Sequence, residues 1–230
     1  MSQVVVVIGG GPLLPAAIAE VGDDATIIAA DSGLDHAVAA GLRPTVLLGD
    51  LDSISAHGKM WAYAHQVEID QYPLDKDATD TELALGRAST IEATTLLVLG
   101  GAGDRFDHTV GTIAALGNPS LARFETIRLL LDHVAIHVIH PAHSVTVDLP
   151  LDTPFSLLAL HGPCRGVQVA GARWPLIDAS LDSSSTRGIS NETTGLLQIA
   201  VTDGVLTPVV PCRSCSPSPH SPPFPVLWAA

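Results

Sequence analysis

The feature that most limits this chain is a series of short apolar runs, most of which end on glycine or aspartate. "VVVVI" (4–8) leads into Gly9, Gly10 and Gly11, "ATIIAA" (25–30) closes on Asp31, and "TVLLGD" (45–50) closes on Asp50. A weaker "VEIDQY" (67–72) and a strong "TTLLVLGG" (94–101) complete the series. Apolar runs without polar alternation are strands covered on both faces. Helix-compatible stretches from Pro12 and at 34–40, 54–65, 80–90 and 106–116 fall between them. Strand, helix, strand in repetition requires crossover connections, which predicts an α/β domain with a parallel sheet over residues 1–125.

Beyond residue 125 the pattern changes. "TIRLLLD", "AIHVIHP", "HSVTVDLP", "FSLLALHG", "VQVAGA" and "LLQIAVTDGVLTPVV" are strand-like pieces separated by turn residues, without helical periodicity. Residues 126–211 are therefore expected to form an all-β domain, an antiparallel sandwich or barrel. Thr202-Asp203-Gly204, between two apolar runs, reads as a hairpin turn. From residue 212 to 230 Pro, Ser and Cys dominate, and this segment is read as a disordered tail.

Charge excludes one class of partner. The net charge is −13 and no Lys/Arg cluster exists, so nucleic acid is not expected as a ligand. A phosphorylated small molecule is compatible if a divalent cation screens it. No stretch approaches the ~20 apolar residues of a membrane span. "MSQVVVVIGGG" has neither the basic region nor the apolar length of a signal peptide. Three cysteines, Cys164, Cys212 and Cys215, leave one unpaired and fit a reducing cytoplasm better than a disulfide framework. The CxxC of Cys212 and Cys215 lacks a second ligand pair for a zinc site.

In a parallel sheet, ligands bind beyond the carboxyl ends of the strands. Nearly every chemically suggestive residue falls at that edge: Gly10 and Gly11 after the first strand, Asp31 and Ser32 after the second, Asp50 and Asp52 after the third. Asp75, Lys76, Asp77 and Asp80 follow the fourth, and Arg105, Asp107 and His108 the fifth. In an extended segment Asp50 and Asp52 would face one side, a pair of hard oxygen ligands suited to Mg²⁺. The competing reading makes Asp52 or Ser53 the cap of the helix near Ile54. Thr79 and Glu82 match a capping box, which leaves Asp75 and Asp77 unexplained. "GGAGDRFDHT" (100–109) is a glycine-rich turn whose N–H groups suit an anion, with Arg105 offering a bidentate phosphate contact. Asp107 would orient Arg105, ligate metal or cap the helix. His133, His137, His140 and His143 follow no standard zinc spacing and read as surface or satisfied histidines.

Three blocks, "ADSGLDHAVAAGLRPTVLLGDLDS", "YPLDKDATDTELAL" and "LGGAGDRFDHT", in this order and spacing, resemble thiamine pyrophosphokinases. "GARWPLIDASLDSSSTRGISNE" is similar to that family's thiamine-site segment, and the resemblance covers roughly residues 4 to 210. It implies an α/β catalytic domain, a β-sandwich domain and a homodimer with active sites at the subunit interface. It also implies pyrophosphoryl transfer from ATP to the thiamine hydroxyl, with Mg²⁺, giving thiamine diphosphate and AMP. Carried over by motif, Asp50, Asp52 and Asp80 are metal-site residues, with Asp75 and Asp77 close by. Asp31, the glycine loop and Arg105 are nucleotide contacts, and Ser190 and Asn191 thiamine contacts. Trp174 would stack on the cationic ring across the dimer. Two positions depart from the family pattern: Asp104 replaces a glycine and Thr112 an asparagine.

Two other readings carry different consequences. A pyrophosphokinase for another alcohol, such as a hydroxymethyl pterin, would share the N-terminal half. A catalytically inactive nucleotide or thiamine sensor would not need so many aspartates. "DKDAT" also fits the DxDxT of aspartyl-phosphate phosphatases, but that motif normally ends the first buried strand, and here a weak fourth strand and Pro73 precede it.

Overall fold

The structure, a computed structural model, describes residues 2–101, 103 and 105–212. Six strands run parallel: β1 (Gln3–Val7), β2 (Thr26–Ala30), β3 (Val46–Gly49), β4 (Glu68–Gln71), β5 (Thr95–Gly100) and β6 (Thr126–Leu131). Their spatial order is β6-β5-β1-β2-β3-β4. The crossovers carry helices α1 (Pro15–Ile18), α2 (Gly33–Ala39), α3 (Ala56–Ala64), α4 (Asp80–Ala88) and α5 (Phe106–Ala115).

Helix starts differ from expectation where local chemistry decides them. The stretch from Pro12 becomes helical only at Pro15, because a proline holds the preceding Leu14 in extended backbone. Neither Asp52 nor Ser53 caps α3. Ser55 does, accepting the Gly58 N–H at 2.9 Å, while Asp35 accepts the Ser55 N–H at 2.8 Å. Thr79 caps α4 by accepting the Glu82 N–H at 3.2 Å. Asp52 is thus left without a capping role.

β1 shows why the apolar runs carry no alternation. Val4 and Val6 pack on one face with Ile28, Val98 and Leu129, while Val5 and Val7 pack on the other with Leu97 and Leu99. All four valines are fully buried. The cluster holding Val5 and Val7 extends to Phe155, Val169 and Leu197, so one core runs from the parallel sheet into the β-rich half.

That half comprises β7 (Val134–His137), β8 (Ser144–Val147), β9 (Pro154–Leu158), β10 (Cys164–Ala172), β11 (Leu176–Leu181), β12 (Asn191–Ala200) and β13 (Thr207–Pro211). Hydrogen bonding continues without a break from β6 through β7, β13, β9, β12 and β10 to β11, all antiparallel. "TIRLLLD" corrects the expected division: β6 pairs parallel with β5 over Thr126–Leu131, and antiparallel with β7 on its other edge. The expected hairpin at Thr202-Asp203-Gly204 also differs. β12 and β13 are not partners, because β9 lies between them. The turn is instead tied to the Arg165 backbone, whose N–H donates to Asp203 and whose carbonyl accepts from Thr202 and Asp203. Cys212 is buried, its N–H donating to the His133 carbonyl at 2.8 Å. Cys215 and the rest of the expected tail lie outside the described residues.

Three histidines of this half serve the packing. His140 Nε2 donates to the Leu116 carbonyl at 3.2 Å and His143 Nε2 to that of Ala122 at 2.9 Å. Burial, reinforced by the Arg128 cation opposite it on β6, pushes the His137 pKa down to about 3. A depressed imidazole stabilises the fold above its unfolded pKa of about 6.5 and loses that stability as pH falls towards the folded value. Between pH 7.5 and pH 5 the wild type should therefore lose about 2 kcal/mol more stability than His137→Phe. Urea unfolding at the two pH values checks this; equal losses would show that His137 is not held neutral.

Candidate active site

The carboxyl ends of the parallel strands open onto one cavity of about 790 Å³. β1 delivers Gly10 and Gly11, β2 Asp31 and Ser32, and β3 Asp50 and Asp52. Lys76, Asp77 and Asp80 line it from the segment between β4 and α4, and Arg105 from the segment before α5. Asp75 and Asp107 are not among its lining residues. His36, Ser53, Thr109 and Thr112 line it without having been singled out as site residues. Their signal was position alone, since each follows a strand's carboxyl end by twelve residues or fewer.

The convergence at β3 does not come from an extended segment, as expected. Gly49 has φ +143° and Leu51 φ +65°, so the chain turns sharply beyond the strand. Within that turn the Asp52 N–H donates to Asp50 Oδ1 at 3.3 Å and Ser53 Oγ donates to Asp52 Oδ1 at 2.8 Å. Asp31 also sits in left-handed backbone, φ +46°. Ligand atoms of Asp31, Asp50 and Asp52 all lie within 4.8 Å of one another, and no histidine belongs to such a group among the described residues. Gly49 makes the approach possible. A Cβ there would lie 3.0 Å from Asp80 Oδ1 and 3.2 Å from the Asp31 Cβ.

Opposing forces set the charges. Lys76 Nζ stands 2.7 Å from Asp50 Oδ2 and 3.2 Å from Asp80 Oδ1. Its hydrogen bond holds the Asp50 carboxyl below the usual range, and Asp50 in turn raises the Lys76 ammonium. Burial pushes Asp31 up, opposed by hydrogen bonds from the Ser32 backbone and the Ser53 side chain and reinforced by Asp80 and Asp50. Asp31 Oδ1 is buried without a hydrogen bond, whereas Asp80 Oδ1, also buried, has the Lys76 ammonium 3.2 Å away. Buried carboxylate oxygens lacking donors are rare unless a cation or ligand completes them. Hard oxygens converging from two strand ends and the start of α4 match the donor set of Mg²⁺. Relative to the expected metal residues, the geometry adds Asp31, joins Asp80 through Lys76 and leaves Asp75 at the surface.

The glycine loops after β1 and β5 abut backbone to backbone. A Cβ on Gly101 would meet the Gly11 Cα at 2.9 Å, and Gly10, φ +112°, has the Gly101 carbonyl against it. Arg105 is engaged by Asp107 as a two-pronged pair, Nε to Oδ1 at 2.9 Å and an NH2 bond to Oδ2 at 2.7 Å. That pair holds the exposed Asp107 carboxyl well below its usual range. Asp104 lies outside the described residues, whereas Thr112 is buried in the cavity wall.

Trp174, Ser190 and Asn191 line a separate cavity of about 470 Å³ on the β-rich half. Pro175, Leu176, Ile189 and Arg187, none singled out from the sequence, complete much of its wall. Trp174 is 54% exposed, whereas Asn191 is only 7% exposed. The Asn191 amide is turned onto backbone: Oδ1 accepts from the Trp174 and Glu192 N–H groups, and Nδ2 donates to the Trp174 carbonyl.

Comparison with known proteins decides the family. A model of the thiamin pyrophosphokinase catalytic domain matches residues 20–130, and one of the thiamin pyrophosphokinase vitamin B1 binding domain matches residues 137–206. The chain belongs to the thiamin pyrophosphokinase family. Thiamine pyrophosphokinase 1 of Oryza sativa subsp. japonica is 29% identical over 160 residues, 65% of this chain and 59% of the rice protein. The thiamine pyrophosphokinase of Bacillus subtilis (strain 168) is 26% identical over 191 residues, 81% of this chain and 87% of that one. Crystal structures agree in fold. That of thiamine pyrophosphokinase from Bacillus subtilis superposes with a TM-score of 0.76 at 24% identity, covering 91% of this chain and 98% of that one. That of thiamin pyrophosphokinase from Geobacillus thermodenitrificans gives 0.71 at 25%, covering 92% and 97%. The second cavity lies wholly inside the segment matched to the family's B1-binding domain, and most of the first inside the catalytic match.

Gly49→Ala should strain this pyrophosphokinase site in two ways, by left-handed backbone and by a Cβ among carboxylates. A loss of about 2 kcal/mol in thermal or denaturant unfolding is expected. A wild-type midpoint would show that the β3 turn relaxes freely.

Proposed function

We propose that this chain transfers the pyrophosphoryl group of ATP to the hydroxyl of thiamine, giving thiamine diphosphate and AMP. The observation that carries the reading is the convergence of Asp31, Asp50 and Asp52 from two strand ends, in a chain matched in order by the family's catalytic and B1-binding domains. The reading divides the chain into a nucleotide-binding catalytic domain over residues 1–125 and a thiamine-binding β-sandwich over 126–211, with β6 serving both.

Asp50, Asp52 and Asp80, joined by Asp31, would hold Mg²⁺, with Asp77 on the cavity wall and Asp75 further out. When bound, that ion would offset negative charge on the triphosphate. The chain's own task is positioning and electrostatic complementarity, which dominate phosphoryl chemistry. Gly10 and Gly11 present backbone to the nucleotide where a side chain would collide. Asp31 and Ser32 stand beside them, and Lys76 and Arg105 supply cations for the phosphates. Asp107 keeps the Arg105 fork oriented. Trp174 offers an exposed indole face to the cationic ring of thiamine, with Ser190 and Asn191 beside it.

A homodimer that brings the second cavity of one subunit to the first cavity of its partner follows from this reading. Exposed apolar side chains support it. Leu74, Phe106 and Val110 lie on or near the first cavity's rim, and Trp174, Ile177 and Ile189 at or near the second. No described helix is long and apolar enough to cross a membrane, and the described cysteines, Cys164 and Cys212, are free; residence in the cytoplasm fits both.

Purified protein incubated with ATP, Mg²⁺ and thiamine should release AMP only when thiamine is present. AMP release with a hydroxymethyl pterin instead would redirect the reading, and none with either alcohol would end it. Asp50→Asn should lower turnover at least about 100-fold while circular dichroism stays unchanged. Trp174→Ala should raise the thiamine KM about tenfold with kcat little altered, the size of one desolvated cation–π contact.

A further inference from the structure

The resemblance makes Asn191 a thiamine contact, yet its amide is already engaged. Oδ1 accepts two backbone N–H groups, from Trp174 at 3.1 Å and Glu192 at 2.9 Å. Nδ2 donates to the Trp174 carbonyl at 2.8 Å. The side chain thus grips both polar groups of one residue's main chain, as a neighbouring strand would. Only one of its N–H bonds remains for a ligand.

Trp174 needs such a grip. It lies in the short connection between β10 and β11, where β10 has a register irregularity against both neighbours. Half its surface is exposed, so apolar burial does little to orient it. Around it, β12 supplies two further contacts. The Arg173 N–H donates to the Glu192 carbonyl at 2.8 Å, and its guanidinium pairs with Glu192 Oε2 at 2.7 Å. That guanidinium in turn lies 5.0 Å from the centre of the Trp174 ring. Asn191 and Glu192 therefore hold Arg173 and Trp174 as one unit, with the buried amide as its main-chain anchor. Asn191 is itself fixed, since it pairs with Phe155 on β9.

We propose that Asn191 is a positioning residue: it locks the main chain of Trp174 and thereby presents the indole to an aromatic cation in the second cavity. The inference rests on the thiamine reading for the identity of that cation. It does not rest on it for the lock.

A double-mutant cycle separates this role from direct contact. Asn191→Ala should raise the thiamine KM about tenfold with kcat little changed. In the Trp174→Ala background the same substitution should add less than about twofold. An undiminished tenfold effect without Trp174 would overturn the proposal, because Asn191 would then act on the substrate itself. If Asn191→Ala does not fold, Asn191→Asp takes its place, since it keeps size and acceptor and loses the bond donated to the Trp174 carbonyl. A second readout needs no catalysis. In a chain carrying Trp61→Phe and Trp228→Phe, Trp174 fluorescence anisotropy should fall on Asn191→Asp, and an unchanged value would overturn the lock. Should the wild type make no AMP from thiamine, the functional reading fails and the anisotropy still decides the positioning role.

Discussion

Mutual repulsion among carboxylates is the constraint around which the catalytic half is arranged. Asp31, Asp50 and Asp80 come from the ends of β2 and β3 and the start of α4, and the Asp80 and Asp50 charges both disfavour the ionised form of Asp31. Alone, such a group would push one pKa up or splay the loops apart. Lys76 answers from within the cluster, bonded to Asp50 and close to Asp80, with its side chain only 13% exposed. Gly49 answers sterically, since its missing side chain is what lets Asp80 and Asp31 approach the end of β3. The parallel sheet supplies the rest, as buried valines and leucines hold the strand ends in a fixed relation. The carboxylate cluster is thus tolerated because one internal cation offsets its charge and one glycine relieves its crowding.

The second cavity follows another logic. Its wall is aromatic and aliphatic apart from Arg187 and Ser190, with the Asn191 amide turned to the backbone, and on the proposed reading it takes the aromatic cation. The unbroken hydrogen-bond path through β6, β7, β13 and β9, and the core that follows it, make the halves mechanically continuous. Family membership and the shared fold agree with that division of labour.

Much of this was legible in the residues. The apolar runs mark β1, β2, β3 and β5 to within a residue, because a strand buried on both faces tolerates no polar interruption; the weaker run marks β4 as closely although that strand is not buried. The site residues at the strand ends were visible for a related reason, as a ligand-binding edge collects the polar residues the strands exclude. The Asp50–Asp52 geometry was misjudged, since neither left-handed Leu51 nor the turn at Gly49 has a distinctive local signature. β6 was assigned to the wrong side because its six residues look alike whether their partner runs parallel or antiparallel. The supposed hairpin failed similarly: Asp203-Gly204 makes a turn, but the choice of strand partner belongs to β9.

What the sequence determined by itself is periodicity and punctuation: which segments are strands or helices, where they stop, and which acids stand at the stops. Those are local properties, set by burial pattern, glycine, proline and caps within a few residues. Tertiary structure alone decided which ends meet, how Lys76 stands between Asp50 and Asp80, and that the Asn191 amide faces the Trp174 backbone. Those contacts join residues 4 to 26 positions apart, and their geometry depends on sheet order and turn angle, which no single segment encodes.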